Sequence, residues 1–357
     1  MSTPKLVSHR QLAPPYPSAQ AQVDGEIRFA RLSQDGTRVA FVADDGAEPA
    51  LCVWTVGTDT TRKIVRVRDR VVDELRWSPN GTHLAYVAGS ALPTGVERSV
   101  AWASTVLTGA PPSSSRGRVD GAAFAWVPSS GRPADSSAQA RPPSLIVADL
   151  RRRAIMHVNL QTGAKLHLGS INDDGNVLRP PTIALPQNGK HIAFTCQQQP
   201  LARAEVWLLS RGEDETEPKL LTQIPGTDVR VRPLWSPKGR TLALNVVHPP
   251  LRRSALIAVV HLKGDGVILH SHELCDSEQT PAWSPSGRYI AMFVATAAGS
   301  QDEPIGAQQL ALLDTKTRTM TAVEGVYPQG RLHFIDGHGL AIDGGSAVEL
   351  LTFDMAL

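Results

Sequence analysis

One phrase recurs along this chain and constrains what it can fold into: Leu75-Arg-Trp-Ser-Pro-Asn-Gly-Thr-His-Leu-Ala-Tyr-Val87. It returns as Pro233-Leu-Trp-Ser-Pro-Lys-Gly-Arg-Thr-Leu-Ala-Leu244 and as Pro281-Ala-Trp-Ser-Pro-Ser-Gly-Arg-Tyr-Ile-Ala-Met292. Looser copies begin at Phe29 and Thr182 and end at Phe41 and Phe194. Repetition at such a period means stacked supersecondary units, each unable to bury its apolar face alone. Much of the sequence is therefore spent on architecture, and any chemistry sits in what the copies do not share.

Each copy reads as a strand, a tight turn and a second strand. The first strand ends in a bulky residue: Trp77, Trp235 or Trp283, or Leu32 and Leu185 in the loose copies. Ser-Pro-x-Gly then turns the chain, because Pro presets φ and Gly accepts the positive φ that a β-branched residue resists. The second strand runs apolar, as in Leu84-Ala-Tyr-Val87, which is how a strand covered on both faces looks.

The turn glycines Gly36 and Gly81 are 45 residues apart, Gly189 and Gly239 are 50 apart, and Gly239 and Gly287 are 48 apart. The longer gap from Gly81 to Gly189 holds a degenerate copy, Ala122-Ala-Phe-Ala-Trp-Val-Pro-Ser-Ser-Gly131, and a last copy runs from Arg331 to Ile342. Most copies are followed by a second pair of apolar runs, such as Glu205-Val-Trp-Leu-Leu209 then Pro218-Lys-Leu-Leu-Thr222. Four strands per period is the pattern of a propeller blade. The spacing predicts an all-β, seven-bladed β-propeller, or six blades if residues 124–127 are not a blade strand.

The last copy has two strands and a third, Val348-Glu-Leu-Leu-Thr-Phe353, before the chain stops. Pro4-Lys-Leu-Val-Ser8 matches the outer-strand phrase Pro218-Lys-Leu-Leu-Thr222, so the N-terminus is expected to supply the missing strand and leave no open edge. This makes residues 1–357 one propeller domain, with 1–22 as closing strand and linker. Residues 108–143, rich in Pro, Ser, Gly and Arg, read as a flexible insertion around a thin strand.

The Trp-Ser-Pro-x-Gly-x-x-Ile/Leu-Ala phrase resembles the WD40-like (PD40) repeat of TolB-type propellers, from about Val23 to Ile342. It is similar to the propeller domains of prolyl-oligopeptidase-type peptidases as well. Two departures limit what the resemblance implies. TolB-type proteins are exported, whereas the residues after Met1 have no apolar core of signal-peptide length. The peptidases carry a Gly-x-Ser-x-Gly nucleophile elbow, and this sequence has no such pentapeptide.

The formal net charge of +2 is too small to point to nucleic acid, and no apolar run reaches the ~20 residues of a membrane-spanning helix. Cys52, Cys196 and Cys275 are scattered, an odd set without metal-motif spacing, which suits a reducing compartment. The expected location is the cytoplasm, with no cofactor.

In a propeller the residues just before the Trp column rim the wider channel mouth. Those positions hold Glu26, Arg28, Asp73, Glu74, Asp120, Arg179, Arg230, Arg232, Gln279, Arg331 and His333. Loops between second and third strands add Arg203, His248, Arg252, Arg253 and Glu303. The guanidinium fork suits carboxylate and phosphate, so Arg28, Arg179, Arg230, Arg232, Gln279 and Arg331 are the candidate ligand-binding residues. The alternative is that Arg28, Asp73, Glu74 and Arg232 pair with one another as structural ion pairs.

No nucleophile motif or phosphate loop appears. Asp73, Glu74 and His333 are the candidate catalytic groups, since Asp44-Asp45 and Asp173-Asp174 precede glycines in turns. His270 and His272 alternate beside Cys275 and Asp276, but no further ligand is fixed, and no metal site is expected. His338 reads as a turn residue. The expected function is a non-catalytic scaffold or recognition propeller whose wider face takes a protein, a peptide or a small anionic ligand. The alternative is a lyase, cyclase or hydrolase acting on a small anionic substrate in the channel.

Overall fold

The structure is a computed structural model that describes residues 4–14, 26–44, 49–58, 60–67, 71–92, 95–105, 116–128, 143–149, 151–171, 182–198, 203–211, 217–225, 230–247, 255–261, 267–272, 281–295, 308–323, 330–343, 346–354 and 357. Among the described residues the chain is all-β, without helix, in the propeller arrangement. Strand β1 (Leu6–Leu12) comes first. Then come β2 (Glu26–Leu32), β3 (Arg38–Asp44), β4 (Ala50–Thr55) and β5 (Thr61–Arg66), which form one sheet in chain order. The next sheet holds β6 (Val71–Trp77), β7 (His83–Leu92), β8 (Gly95–Ser104) and β9 (Arg116–Asp120). The degenerate copy supplies β10 (Ala123–Trp126), which opens a complete sheet with β11 (Ser144–Asp149), β12 (Ala154–Asn159) and β13 (Lys165–Ser170).

The same order repeats in β14 (Ile183–Ala184), β15 (His191–Gln198), β16 (Arg203–Ser210) and β17 (Lys219–Pro225). It repeats again in β18 (Arg230–Trp235), β19 (Thr241–Val247), β20 (Ala255–His261) and β21 (Val267–His272). A further sheet holds β22 (Ala282–Trp283), β23 (Tyr289–Ala295), β24 (Gln308–Asp314) and β25 (Thr319–Ala322). The last three strands are β26 (Arg331–Phe334), β27 (Gly339–Asp343) and β28 (Val348–Phe353). Strand β1 lies beside β28 and completes their sheet, so the described strands make seven four-stranded sheets. The Asp354 amide donates to the Lys5 carbonyl at 3.0 Å, and the Lys5 amide donates to the Asp354 carboxylate at 2.8 Å.

The recurring Ser explains why the phrase turns where it does. Gly81 N–H donates to the Ser78 carbonyl at 2.8 Å, closing the turn, and Gly81 takes φ +66°. The buried Ser78 hydroxyl accepts the His83 amide at 2.9 Å, and Ser236 and Ser284 accept Thr241 and Tyr289 in the same way at 3.1 and 3.0 Å. The hydroxyl thus satisfies a backbone N–H that the tight turn would otherwise leave buried and unmade.

In four sheets the Trp of the column bonds the sheet before it. Trp77 donates its indole N–H to the Arg31 carbonyl at 2.9 Å, and Trp126 donates to Arg76 at 3.3 Å. Trp235 reaches Ala184 at 3.1 Å and Trp283 reaches Leu234 at 3.0 Å. These bonds span 46, 50, 51 and 49 residues, one period each. Leu32, which has no indole, donates its amide to the Asp343 carboxylate at 3.2 Å, while Arg31 donates to the Asp343 carbonyl.

Apolar cores lie between successive sheets. Val42, Leu51 and Val53 pack with Leu75, Leu84 and Tyr86, and Val87, Val100 and Trp102 pack with Phe124, Leu145 and Val147. The chain divides into two compact units: Gln11–Leu168 with Asp343–Glu349, and Met1–Arg10 with Gly169–Ile342 and Leu350–Leu357. Each is described by itself below.

Candidate functional site

Strand pairing sets the register of the candidate residues on β2, β6 and β18. In the unit holding Gln11–Leu168, Arg28 lies on β2 opposite Val42, and a bulge between Arg28 and Arg31 breaks the register. Phe29 inside that bulge has φ +56°, a left-handed backbone that a bulky side chain adopts only under constraint. Strand β6 carries a bulge at the corresponding place, between Val72 and Glu74, around Asp73. The charges here pair along their own strands. Glu26 meets Arg28 at 3.5 Å, and Glu74 meets Arg76, whose guanidinium lies 5.7 Å from the centre of the Phe124 ring.

The other unit differs in sign. Strand β18 carries Arg230 opposite Val247 and Arg232 opposite Asn245, and β26 carries Arg331 and His333. Strands β14 (Ile-Ala) and β22 (Ala-Trp) carry no charge, so the first strands of this unit hold three Arg and a His with no acid. The first strands of one unit carry charges of both signs, and on those of the other every ionisable side chain is basic.

Arg203 has a structural partner. Its guanidinium is 3.2 Å from Glu205, whose side chain is only 4% exposed. The same carboxylate accepts the Trp207 indole N–H at 3.2 Å and the Gln223 amide at 3.1 Å, so a buried charge is met on several sides. Nearby, the Thr182 hydroxyl donates to the Val231 carbonyl at 2.9 Å and lies 2.8 Å from the Thr195 hydroxyl.

Arg179, Gln279, His248, Arg252, Arg253, Glu303, Cys275 and Asp276 lie outside the described residues, as do 108–115 and 129–142 of the expected insertion. Asp120 ends the outer strand β9 opposite Ser99. His270 and His272 lie on the outer strand β21, opposite Ile257 and Ala255. Among the described residues no group of three or more His, Cys, Asp and Glu is placed to hold a metal ion. His338 sits in a turn, its amide donating to Asp336 at 2.7 Å. Cys52 and Cys196 are buried and not joined in a disulfide.

Two titrating groups belong to the repeat turns. Burial raises the Asp35 pKa, but hydrogen bonds from the Ser33 hydroxyl and from the hydroxyl and amide of Thr37, with the Arg38 charge, outweigh it and bring the value to about 2. Burial pushes the His83 imidazole below its ordinary range.

One cluster escaped the sequence reading. Arg151, Arg152 and Arg153 form the turn between β11 and β12, and all three are exposed. Ala123, the first residue of β10, pairs with Ala148 at the end of β11, so this turn lies at the end of its sheet where β10 begins. Asp149 holds it by accepting the Arg152 amide at 3.0 Å, and Arg153 takes φ +50°. The same spacing closes the next turn of that sheet, where Asn159 accepts Gln161 and Thr162 and Gly163 takes φ +71°. It recurs at Asp314 and Arg318, the latter with φ +62°. The signal was available as an Asp/Asn-x-x-x turn between apolar runs.

No family model matches the chain, and no curated protein matches it. Solved structures do match at the level of fold. Oligogalacturonate lyase from Vibrio parahaemolyticus is similar at TM-score 0.55 and 12% identity, over 98% of this chain and 97% of that one. Prolyl oligopeptidase B from Galerina marginata is similar at TM-score 0.57 and 9% identity, over 91% of this chain and 48% of that one. TolB from Acinetobacter baumannii aligns at TM-score 0.43 and 13% identity, over 92% of this chain. The chain spans 55% of that TolB and about half of the peptidase. No helix among the described residues is long and apolar enough to cross a membrane.

Proposed function

We propose that the chain is a non-catalytic recognition propeller that binds an anionic ligand or an acidic segment of a protein partner. The observation that carries this reading is the charge on the first strands of one unit: Arg230, Arg232 and Arg331 with no acidic residue among them. In the other unit the first strands mix signs, with Glu74 beside Arg76 and Glu26 beside Arg28. A guanidinium at the rim of a rigid sheet costs little to organise and offers paired N–H donors to a carboxylate or phosphate. The proposed location is cytoplasmic. Arg179 and Gln279 belong to the same proposed ligand set.

The test is titration calorimetry of the full chain with citrate and with an octaglutamate peptide, at low and physiological salt. Binding that weakens with salt, and that falls about tenfold or more in an Arg232→Ala/Arg331→Ala variant, supports the reading. Unchanged binding in that variant overturns it. The alternative is an enzyme on a small anionic substrate, with Asp73, Glu74 and His333 as its acid–base groups. The fold it shares with a protein named as an oligogalacturonate lyase motivates that reading. Turnover of an oligogalacturonate, abolished by Glu74→Gln or His333→Ala, would replace the first reading with the second.

A further inference from the structure

We propose that the turn formed by Arg151, Arg152 and Arg153 is a docking site for an acidic peptide segment of a protein partner. It lies in the unit holding Gln11–Leu168 and does not depend on the arginines of β18 and β26.

Three observations support it. First, three consecutive guanidinium side chains are exposed from one short connection. The turn's own carboxylate, Asp149, is buried, accepts the Arg152 amide at 3.0 Å, and sits 3.6 Å from the Arg152 Nε. The acid therefore holds the turn in shape through Arg152. Second, Arg153 occupies the left-handed position, φ +50°, that Gly163 fills at +71° in the next turn of the same sheet. Glycine is the favoured residue at such a position, and an arginine there carries a side chain that a glycine would not. Third, the pairing of Ala123 with Ala148 sets this turn at the end of the sheet where β10 begins.

The chemistry favours a peptide over nucleic acid. Three arginines in one turn present a compact charge that matches one or two adjacent carboxylates. A nucleic-acid backbone would instead need a basic track along several phosphates, and the chain's net charge of +2 does not provide a strong overall field.

The experiment compares wild type with Arg151→Ser/Arg152→Ser/Arg153→Gly. Glycine suits the backbone at 153, so the variant is expected to melt at or above the wild-type temperature. A fluorescein-labelled octaglutamate peptide is titrated by anisotropy, and hydrogen exchange is followed across 151–154 with and without peptide. Binding weakened about tenfold in the variant, with exchange slowed at the turn in wild type, supports the proposal. Arg232→Ala/Arg331→Ala should leave that protection intact, which separates this site from the other. Peptide binding that ignores the turn variant, or absence of peptide binding, overturns the proposal. Tighter turn-dependent binding of polyuridylate than of octaglutamate overturns it in favour of nucleic acid. Should the triple variant fail to fold, Arg151→Glu/Arg152→Glu gives the same reading.

Discussion

The indole N–H of Trp77 donates to the backbone carbonyl of Arg31 at 2.9 Å, across 46 residues of chain. The bond joins the first strand of one sheet to the first strand of the sheet before it, and Trp283 does the same to Leu234 at 3.0 Å. Removing the indole while keeping an aromatic ring leaves a half-buried carbonyl short of a donor. Trp77→Phe and Trp283→Phe should each lower stability by about 1–2 kcal/mol in urea unfolding. The sites lie in different compact units, so the losses should add to within a few tenths of a kcal/mol. No loss in either single variant would show that these bonds do not hold the sheets together.

The hydroxyl of Ser284, fully buried, accepts the Tyr289 amide at 3.0 Å. Ser284→Ala should cost about 1–3 kcal/mol, because a buried N–H is left without its acceptor. The local readout is amide exchange at Tyr289, which should accelerate more than that of neighbouring β23 amides. Equal acceleration along the whole strand would mean that the Ser acts only through global stability.

Gly117 on β9 lies flat against the buried Trp102, and a Cβ there would stand 1.9 Å from the ring. Gly117→Ala should destabilise by about 1–3 kcal/mol through forced overpacking. Adding Trp102→Leu should recover part of that loss. A neutral Gly117→Ala measured by thermal melting would show that the ring moves aside freely.

Acid should weaken the fold in two windows. Asp35 has a folded pKa of about 2 against an ordinary 3.8, so its contribution is present above 3.8 and is lost as pH falls toward 2. His83 has a pKa lowered by burial from an ordinary 6.5, so the unfolded chain takes up a proton first and stability declines as pH drops below 6.5. Asp35→Asn should flatten the lower window and His83→Gln the upper one. Chemical denaturation from pH 8 to 2 checks both, and a variant curve parallel to wild type would remove that residue from the account.

Parts of this structure were legible because they repeat. The Ser-Pro-x-Gly turn, the four-strand period and the use of Leu6–Leu12 as the last sheet's outer strand all follow from comparing copies along the chain. Ala123–Trp126 was legible too, although its copy lacks the Ser-Pro turn, because it retains Trp126 at the column position. What repetition could not show is pairing between unlike positions. Leu32 meets Asp343 across 311 residues, and Glu205 draws Gln223 from the next strand, and neither pair has an equivalent in other copies.

The charged positions were located by their place before the Trp column, but their pairing was not. Glu74 with Arg76 and Glu26 with Arg28 run along single strands at a spacing of two, on regular stretches beside the bulges, where ordinary alternation puts both residues on one face. Comparing columns across copies looks between strands and passes over such neighbours. The arginine turn was passed over because it follows β11 in a sheet whose first strand had lost most of its sequence signature.

The bonds that repeat from sheet to sheet end on backbone atoms: a Trp N–H on a carbonyl, a Ser hydroxyl under an amide. A backbone atom offers the same partner whatever side chain it carries. Arg31, Arg76, Ala184 and Leu234 each receive an indole N–H, although their side chains range from guanidinium to methyl. Such an attachment lets a lineage copy a blade, or rewrite its exposed residues, without renegotiating the joint with its neighbour. Charge can then drift apart between one set of blades and another while the ring-forming apparatus stays unaltered.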